Sequence, residues 1–358
     1  MVGLYCFCNS KQFQINHKNL TSQNFIVSIC KFNLLLFIIL SVIGCSDSHK
    51  PNNGIVIVYT SVDQVFSSKI LKQFEEDTGI IVKGVYDTEA SKAVGLEKRL
   101  LAEKNNPRAD IFWNSEFMRT ARLEDAGVFE VYKRNTDDYS SEKYYSPNGL
   151  WYGMGGRARV FIINKNLLMK NQYPSSLVDI VKPEFKGKIV IAIPYIGSTS
   201  THFAALYHKI GESKFKDFLI GLKNNDVAML SGNSIVKDAV GNGKFAIGIV
   251  DTDDALLGID QGLPIEMVYY DQEKDGVFSF FQTLSLVKGG RNSINGKILM
   301  EYLLRDTIEQ QLIEMNAVQM HILNTESTEN SIKVWTVLPG IIKDLLPAST
   351  ALLRRYLE

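Results

Sequence analysis

The chain has 358 residues, and its 39 basic side chains balance 39 acidic ones, so it carries no net charge at neutral pH. Hydrophobic residues make up 45% of the chain and charged residues 22%, which is an ordinary globular composition. This balance gives no basic excess for binding nucleic acid, and a chain of this length can bury a sizeable core in two lobes.

The first 45 residues have the character of a leader for export. They contain three lysines and no acidic residue, which leaves 36 of the 39 basic residues against 39 acidic ones in the remainder. Lys31 precedes the apolar run Leu34–Ile43, which is too short to span a bilayer and is typical of a signal peptide. The sequence SVIGC that closes the run resembles the lipobox of bacterial lipoproteins, which implies cleavage before Cys45 and acylation of its sulfur. The alternative is a plain N-terminal membrane anchor.

Cysteine usage agrees with export. All four cysteines, at positions 6, 8, 30 and 45, lie in the leader. The rest of the chain therefore offers no disulfide, no thiolate metal site and no cysteine nucleophile. The polar segment 46–53 that follows Cys45 predicts a tether between the lipid and the body of the protein.

After the tether, short apolar runs alternate with helical patterns. Residues 64–78 place Phe66, Ile70 and Phe74 at helical spacing, and Gly79 is a typical C-terminal cap. The alternation predicts right-handed βαβ units and a mainly parallel sheet. The predicted strands of this half are 55–59, 80–85 and 109–113, and the predicted helices are 64–78, 90–104 and 116–125.

The pattern restarts in the second half of the chain, which predicts a second α/β lobe. Ligands of open α/β sheets bind at the carboxyl ends of the strands, and in a two-lobe protein those ends can face each other across a cleft. Strands are predicted at 160–163, 188–193, 245–250 and 283–287, and helices at 202–210, 212–224, 235–240, 296–304 and 307–315.

Five short sequence segments, taken together and in their order along the chain, carry a resemblance to a known family. They are VYTSVDQ, PRADIFWNSE, GRARVFIINKN, GNSIVKDAVGNGKFAIGIVDTDDA and LVKGGRN. Over roughly residues 54–325 the chain resembles the extracellular solute-binding proteins of the iron(III) type. The resemblance implies the class II periplasmic-binding (Venus flytrap) fold, with mainly parallel sheets, flanking helices and a hinge of crossover strands. It also implies delivery of a ligand to an ABC permease and its ATPase.

These expectations give the protein a cellular location and divide its sequence into six segments. We expect a monomer that is lipid-anchored on the periplasmic face of a bacterial membrane, or on the outer cell surface. Residues 1–44 are the predicted signal peptide with its lipobox, 45–53 the lipidated tether, 54–157 the first part of lobe 1, 158–282 lobe 2, 283–330 the return to lobe 1, and 331–358 a C-terminal helical segment that packs on lobe 2.

The resemblance also implies positions for ligand contacts. Ferric members of the family coordinate iron with a histidine, a glutamate and a pair of tyrosines, and these positions fall on Asp63, Glu116 and Asp253-Asp254. The missing phenolates are a departure from the ferric pattern. An adjacent tyrosine pair, 269–270, lies outside the matching context.

An acidic turn follows the predicted strand 245–250. Asp251, Asp253 and Asp254, together with the Asp63 and Glu116 positions, would form a hard-oxygen cluster suited to Fe(III) or another hard cation. Three carboxylates so close together require a cation, a donor-rich ligand or water. The structural alternative is a solvated helix N-terminus with Asp251 or Thr252 as the cap.

Two hydroxyl-rich turns offer hydrogen-bond donors, which suit an anion. The segment 194–202 joins a strand to a helix, and 231–234 precedes a second helix. Their hydroxyls and free N–H groups can cradle an anion, unless they are ordinary helix caps. In the matching family pattern an arginine, here Arg157, assists, and His202 is a further ligand candidate. The ligand candidates of these turns are Gly197, Ser198, Thr199, Ser200, Thr201, Asn233 and Ser234.

Two kinds of cargo fit a site with both signs of charge. One is a ferric ion or other hard cation bound with a small synergistic anion, which the family resemblance favours. The other is a single organic anion, such as a sugar phosphate or a phosphonate. An enzyme is not expected, because the sequence contains no G-x-S-x-G, H-E-x-x-H or P-loop motif. A ligand-sensing module for a receptor is an alternative to a transport role.

Overall fold

The computed structural model describes residues 54–87, 94–134, 142–322 and 332–358. The predicted signal peptide, Cys45 and the tether up to residue 53 lie outside these ranges, as do the first residues of the predicted helix 90–104. Among the helices within the ranges, none has both the length and the apolar character that crossing a bilayer requires.

Strands and helices alternate along the described residues and are numbered here in chain order. The strands are β1 (Ile55–Thr60), β2 (Ile81–Tyr86), β3 (Ile111–Asn114), β4 (Phe129–Glu130), β5 (Tyr152–Asn164), β6 (Ile189–Ala192), β7 (Ala228–Leu230), β8 (Ile247–Asp251), β9 (Ile265–Val268), β10 (Val277–Val287) and β11 (Val334–Trp335). The helices are α1 (Gln64–Thr78), α2 (Val94–Ala102), α3 (Phe117–Asp125), α4 (Gly197–Asn224), α5 (Asn233–Gly241), α6 (Thr252–Asp260), α7 (Ser293–Leu303), α8 (Asp306–Glu314) and α9 (Pro339–Leu357).

The first lobe is built on strands β1 to β4. Strands β2, β1 and β3 lie side by side and run parallel, as the predicted βαβ pattern requires. Helix α1 spans the predicted residues, and Gly79 ends it in the left-handed conformation (φ 72°), which glycine adopts without steric cost. The parallel arrangement places the residues that follow β1 and β3 at the same edge of the sheet.

Two long strands, β5 and β10, join the lobes. They pair with each other in antiparallel fashion, β10 continues onto β3 of the first lobe, and β5 continues onto β8 of the second. This topology confirms the predicted two-lobe arrangement with a hinge of crossover strands. The apolar runs predict only the ends of these strands, because glycines and arginines interrupt the pattern in β5, and Ser279 and Gln282 interrupt it in β10.

The second lobe is built on strands β6 to β9. Strand β6 lies between β7 and β8 and runs parallel to both, while β9 pairs with β5. Helix α4 begins at Gly197, so the prediction of a loop up to residue 202 is wrong for residues 197–201, which form the first turns of the helix. Gly211 interrupts α4 with a φ of 78°, at the boundary between the two predicted helices.

The C-terminal helix α9 packs against both lobes. It lies on α4 of the second lobe and on α3 of the first. Ile342 and Leu346 contribute to the first hydrophobic core, whereas Leu353 contributes to the second. Near the start of the helix, the Lys343 ammonium lies 2.5 Å from the carboxylate of Asp125 at the end of α3.

A buried carboxylate fixes the crossover strand β5 beside helix α8. Gly155 has a φ of 54°, and its N–H donates to Glu309 Oε1 at 2.7 Å. The same oxygen accepts the N–H of Ile322 at 3.1 Å, while Glu309 Oε2 lies 3.1 Å from His321 Nδ1. One side chain therefore satisfies two buried backbone donors next to the hinge.

We expect the substitution Glu309→Ala to destabilise the protein by about 3 kcal/mol, because it removes the carboxylate that accepts two buried N–H groups. Chemical denaturation followed by circular dichroism measures this loss. Glu314, exposed at the end of the same helix, provides the control, and Glu314→Ala should change stability by less than about 0.5 kcal/mol. Equal denaturation midpoints for the two variants would contradict the role given to Glu309.

Candidate functional site

The acidic turn lies at the carboxyl end of the buried strand β8. Asp251 ends the strand and precedes helix α6, which carries Asp253 and Asp254 in its first turn. All three carboxylates are buried, and oxygen atoms from the three lie within 4.8 Å of one another. The alternative of a helix N-terminus is therefore correct in geometry, but this turn is not solvated.

Two arginines of strand β5 pair with two of the three carboxylates of the acidic turn. Arg157 Nη1 lies 2.5 Å from Asp253 Oδ2 and 3.6 Å from Asp251 Oδ2. Arg159 Nη1 lies 2.5 Å from Asp251 Oδ1. Residues two apart in a strand point to the same face, so the spacing of GRAR could have predicted Arg159 together with Arg157. Both guanidinium groups are buried, so the turn is held by charge pairing inside the protein.

The charges shift one another's protonation equilibria. Burial alone would raise the pKa of Asp251, but the guanidinium groups of Arg159 and Arg157 outweigh it and hold that pKa below its usual value. Burial opposes the charge of Arg157, yet Asp253, Asp251 and Asp63 raise its pKa above the ordinary value for arginine. Asp63, the half-buried residue before helix α1, therefore acts on the same guanidinium.

The hydroxyl-bearing residues of α4 turn toward the acidic turn. Ser198 Oγ donates to Asp251 Oδ2 at 2.6 Å and accepts from Asn233 Nδ2 at 3.2 Å. Thr199 Oγ1 lies 3.5 Å from Asn233 Oδ1, so the first turns of α4 and α5 are bonded together. Ser234 Oγ donates to Asp254 Oδ1 at 3.2 Å. The structure thus brings the two predicted turns and the acids into one cluster.

Glu116 occupies the point where the lobes meet. Its Oε2 accepts the Met118 N–H at 2.7 Å and the Thr201 hydroxyl at 2.8 Å, and its Oε1 accepts the Arg119 N–H at 3.1 Å. Burial raises the pKa of Glu116, although the Arg119 guanidinium and the Thr201 hydroxyl favour the ionised form. The carboxylate therefore caps helix α3 and bonds across the cleft to α4.

Two arginines make further contacts between the lobes. Arg119 Nη2 donates to Ser200 Oγ at 3.0 Å, and its Nη1 pairs with Glu97 at 2.7 Å. Arg157 Nη2 donates to the carbonyl of Ser115 at 2.7 Å. Arg119 is not among the residues predicted from the sequence, although its position one turn after Glu116 on α3 is a signal that identifies it.

The tyrosine pair 269–270 packs against the core of the second lobe. Tyr270 is buried against Phe161, with ring centroids 4.6 Å apart, and its hydroxyl lies 3.4 Å from His202 Nε2. Tyr269 is half-buried beside the same core. Burial raises the pKa of both hydroxyl groups.

The space beside the cluster is small. A cavity of about 20 Å³ lies between the first turns of α4 and α5, which is room for one water molecule. The cavity lies within the second lobe, on the side of the cluster formed by these two helix starts. The cavity is lined by Ala192, Ile193, Ile196, Gly197, Ser198, Thr199, Ser231, Gly232 and Asn233.

A family model described as bacterial extracellular solute-binding protein matches residues 106–334, which is more than half of the chain. The chain belongs to this family. The Fe(3+)-binding periplasmic protein of Serratia marcescens is 27% identical over 230 residues, which cover 62% of this chain and 65% of that protein.

Solved structures of solute-binding proteins share the fold. Iron-bound HitA from Pseudomonas aeruginosa superposes with a TM-score of 0.74 at 19% identity, and the match covers 85% of this chain and 99% of that one. AfuA from Actinobacillus pleuropneumoniae, with exogenous fructose-6-phosphate bound, gives a TM-score of 0.71 at 21% identity over 85% and 98% of the chains. These matches confirm the class II periplasmic-binding fold.

His202 is a buried titratable group near the acidic turn. It lies in α4 with its ring 5.7 Å from that of Phe278, and no described residue bonds its Nδ1. Burial, and after it the charge of Arg159, lower the pKa of His202 well below its usual value, although Asp251 opposes the shift. The imidazole is therefore neutral in the folded protein.

The arginine–aspartate pair gives a first test of the site. Arg157→Gln or Asp253→Asn alone should cost about 3–5 kcal/mol, because each removes the nearest opposite charge of a buried ion, whereas the double variant should lose much less than the sum. Denaturation of the four proteins measures the coupling. The Lys343–Asp125 pair has the same 2.5 Å separation but a more exposed carboxylate, so its cycle should be additive to about 0.5 kcal/mol. An equally additive cycle for the buried pair would contradict the assigned ion pair.

His202 gives a test by pH. An unfolded histidine has a pKa of about 6.5, so below that pH the unfolded chain binds a proton that the folded chain does not. The free energy of unfolding should fall by up to about 1.4 kcal/mol per pH unit from this group as the pH drops from 6.5 toward the lowered pKa. His202→Gln should flatten this slope, whereas His208→Gln, exposed on the same helix, should not. An unchanged slope in His202→Gln would show that the ring is protonated in the folded state.

Proposed function

We propose that this chain is the solute-binding component of an ABC importer, and that its cargo is a small hydroxylated organic solute with an oxyanion group, of the sugar-phosphate class. The observation that carries this proposal is the position of Arg157, whose guanidinium lies among the candidate metal ligands and bonds both lobes. A permanent positive charge that pairs with Asp253 and Asp251 competes with a cation for those oxygens, and it attracts an oxyanion.

The other side chains complete a site of two signs. The amino ends of α4 and α5 converge beside the small cavity, and helix amino ends favour negative charge. An oxyanion there would receive hydrogen bonds from backbone N–H groups, the Ser198 and Thr199 hydroxyls and Arg157. The carboxylates of Asp253 and Asp254 would accept hydrogen bonds from solute hydroxyls, as bidentate and charge-assisted contacts. The same fold accommodates fructose-6-phosphate in AfuA of Actinobacillus pleuropneumoniae.

Capture would use the contacts that now join the lobes. Glu116 with Thr201, Arg119 with Ser200, and Arg157 with the Ser115 carbonyl hold the cleft shut. Separating the lobes would free these donors and acceptors for a solute, and closure around it would complete the clamp. The closed form would then be recognised by the permease and its ATPase. This function is binding and delivery, without catalysis.

The location follows from the leader. We propose that a signal peptide is removed before Cys45 and that lipid on this cysteine anchors the protein to a bacterial membrane or outer cell surface. The mature protein would act as a monomer. A lipid anchor keeps the binding protein close to its permease, which raises the effective concentration for delivery.

A ferric ion bound with a small anion is the second candidate cargo. Two observations favour it: the oxygen atoms of Asp251, Asp253 and Asp254 lie within 4.8 Å of one another, and the Serratia marcescens relative is named as an Fe(3+)-binding protein. Against it, arginines pair with two of the three carboxylates, and Tyr270 packs in the core of the second lobe with its hydroxyl beside His202. Asp63 and Glu116 would have to supply the remaining hard-oxygen ligands.

Native mass spectrometry with elemental analysis of protein from its own host separates the two candidates. We expect an organic adduct that contains phosphorus, with much less than one iron per chain. Calorimetric titration should then show binding of fructose-6-phosphate or a related sugar phosphate, and no binding of ferric citrate. One ferric ion per chain without an organic adduct would assign the site to the second candidate.

A charge-balanced variant tests the role of Arg157 in binding. The double variant Arg157→Gln/Asp253→Asn should bind the sugar phosphate about 100-fold more weakly than wild type, because hydrogen bonds to charged groups are worth about 1.5–3 kcal/mol each. The double variant Lys343→Gln/Asp125→Asn, which changes a pair outside the cluster, should keep the wild-type affinity. Unchanged affinity in the first variant would remove Arg157 from the site.

A further inference from the structure

The described chain enters the first lobe at its amino edge, between strand β2 and helix α7. The carbonyl of Gly54 accepts the N–H of Ile81 at 2.9 Å, and the carbonyl of Ile55 accepts Asn295 Nδ2 at 3.0 Å. The site residues Asp63 and Glu116 follow the opposite, carboxyl ends of β1 and β3. The amino edge of this sheet therefore faces away from the cleft.

Exposed isoleucines flank the point where the chain enters. Ile294 in the first turn of α7 is 76% exposed, and Ile298, one turn later on the same face, is 36% exposed. Ile81, which starts β2 on the other side of Gly54, is 52% exposed. The opposite face of α7 is buried in the first core through Leu299, Met300 and Leu303, so this helix is apolar on both faces near its start.

Basic side chains lie beside these isoleucines. The exposed residues Lys288 and Arg291 precede α7. Arg291 Nη2 donates to Asn106 Oδ1 at 3.1 Å, so the loop that carries the exposed Arg108 lies next to Arg291. Two acids lie near these cations. Asp110 is buried and accepts from the N–H groups of Ile57 and Asn292, at 2.8 and 2.7 Å. Glu103 Oε1 lies 3.8 Å from Arg108 Nε, so Lys288 and Arg291 carry most of the positive charge that this edge presents.

We propose that this surface, formed by Ile81, Ile294, Ile298, Arg108, Lys288 and Arg291 and called here the basal surface, rests on an anionic phospholipid bilayer. Single exposed isoleucines are common on protein surfaces. Here they lie beside exposed cations, at the point where the predicted tether joins the body of the protein, and this combination fits a membrane interface. The predicted lipid on Cys45 lies nine residues before Gly54, so the tether reaches at most about 30 Å and keeps this surface near the headgroups.

The contact sets the orientation of the cleft. With the basal surface on the bilayer, the carboxyl ends of β1 and β3 point toward solution, where solute is captured. Each cation near an anionic leaflet and each buried isoleucine adds a small attraction, and the lipid anchor removes the need for either to be strong. The proposal rests on the predicted anchor and is independent of which solute the cleft binds.

A reporter on the cysteine-free body tests the proposal. The full chain carrying Ile294→Cys is produced in a host that processes lipoproteins, labelled with an environment-sensitive fluorophore and reconstituted in vesicles rich in phosphatidylglycerol. Mass spectrometry verifies that Cys45 is acylated and the label is at position 294. We expect quenching by aqueous iodide to fall about threefold relative to the same protein in neutral detergent micelles. A label at Met169→Cys, 67% exposed on the second lobe, should be quenched equally in both.

Charge reversal tests whether contact with anionic lipid causes the protection of position 294. Adding Lys288→Glu and Arg291→Glu to the reporter should restore the quenching seen in micelles, while circular dichroism shows unchanged folding. Equal quenching in vesicles and micelles at position 294 would overturn the proposal. So would protection of position 294 that is already present in micelles, because the tether itself would then cover the isoleucines. Protection that survives charge reversal would overturn the assignment to an anionic bilayer.

Discussion

The whole arrangement depends on one buried guanidinium group. Arg157 lies on the crossover strand β5, where it pairs with Asp253 of the second lobe and donates to the Ser115 carbonyl of the first. A buried ion costs several kcal/mol of hydration, so the arginine is stable only while the surrounding oxygens remain in place. Asp251 in turn remains ionised because the guanidinium groups of Arg159 and Arg157 hold its pKa below the usual value. Neither sign of charge could occupy this point without the other.

This mutual dependence decides what the site can exchange for a solute. A solute that replaces the internal pairs must present both an acceptor to the guanidinium and donors to the carboxylates, or it leaves buried charge unsatisfied. A hydroxylated oxyanion meets both requirements in one molecule. A ferric ion satisfies the carboxylates but needs an accompanying anion to satisfy the guanidinium group. Asp253-Asp254, at the positions that the resemblance gives to a tyrosine pair, thus change the demands on a ligand, while the fold is shared with iron-bound HitA.

The sequence predicts local structure where short-range patterns dominate. Helix α1 matches its predicted span, because its apolar spacing and Gly79 are both local signals. The crossover strands are underestimated, since every residue of β5 is buried whether it is apolar, glycine or arginine, and only tertiary packing reveals this. Motif order predicts the candidate residues of both turns but not Arg119 and Arg159, whose contacts with Ser200 and Asp251 join residues 81 and 92 positions apart. Residues 197–201 form a helix start where the sequence predicts a loop, because serines and threonines favour turns as well as helix starts.

The hinge and the charge cluster share one strand, and this links solute binding to motion. Gly155, held by Glu309 of α8, precedes Arg157 by two residues in β5. Thr252, at the start of the helix that carries Asp253, bonds Gln319 in the segment that follows α8. A solute that moves Arg157 or the acidic turn therefore acts directly on the backbone that α8 fixes. Since packed elements of this kind change between discrete arrangements and do not deform gradually, a small displacement at the guanidinium can be converted into a rotation of one lobe against the other.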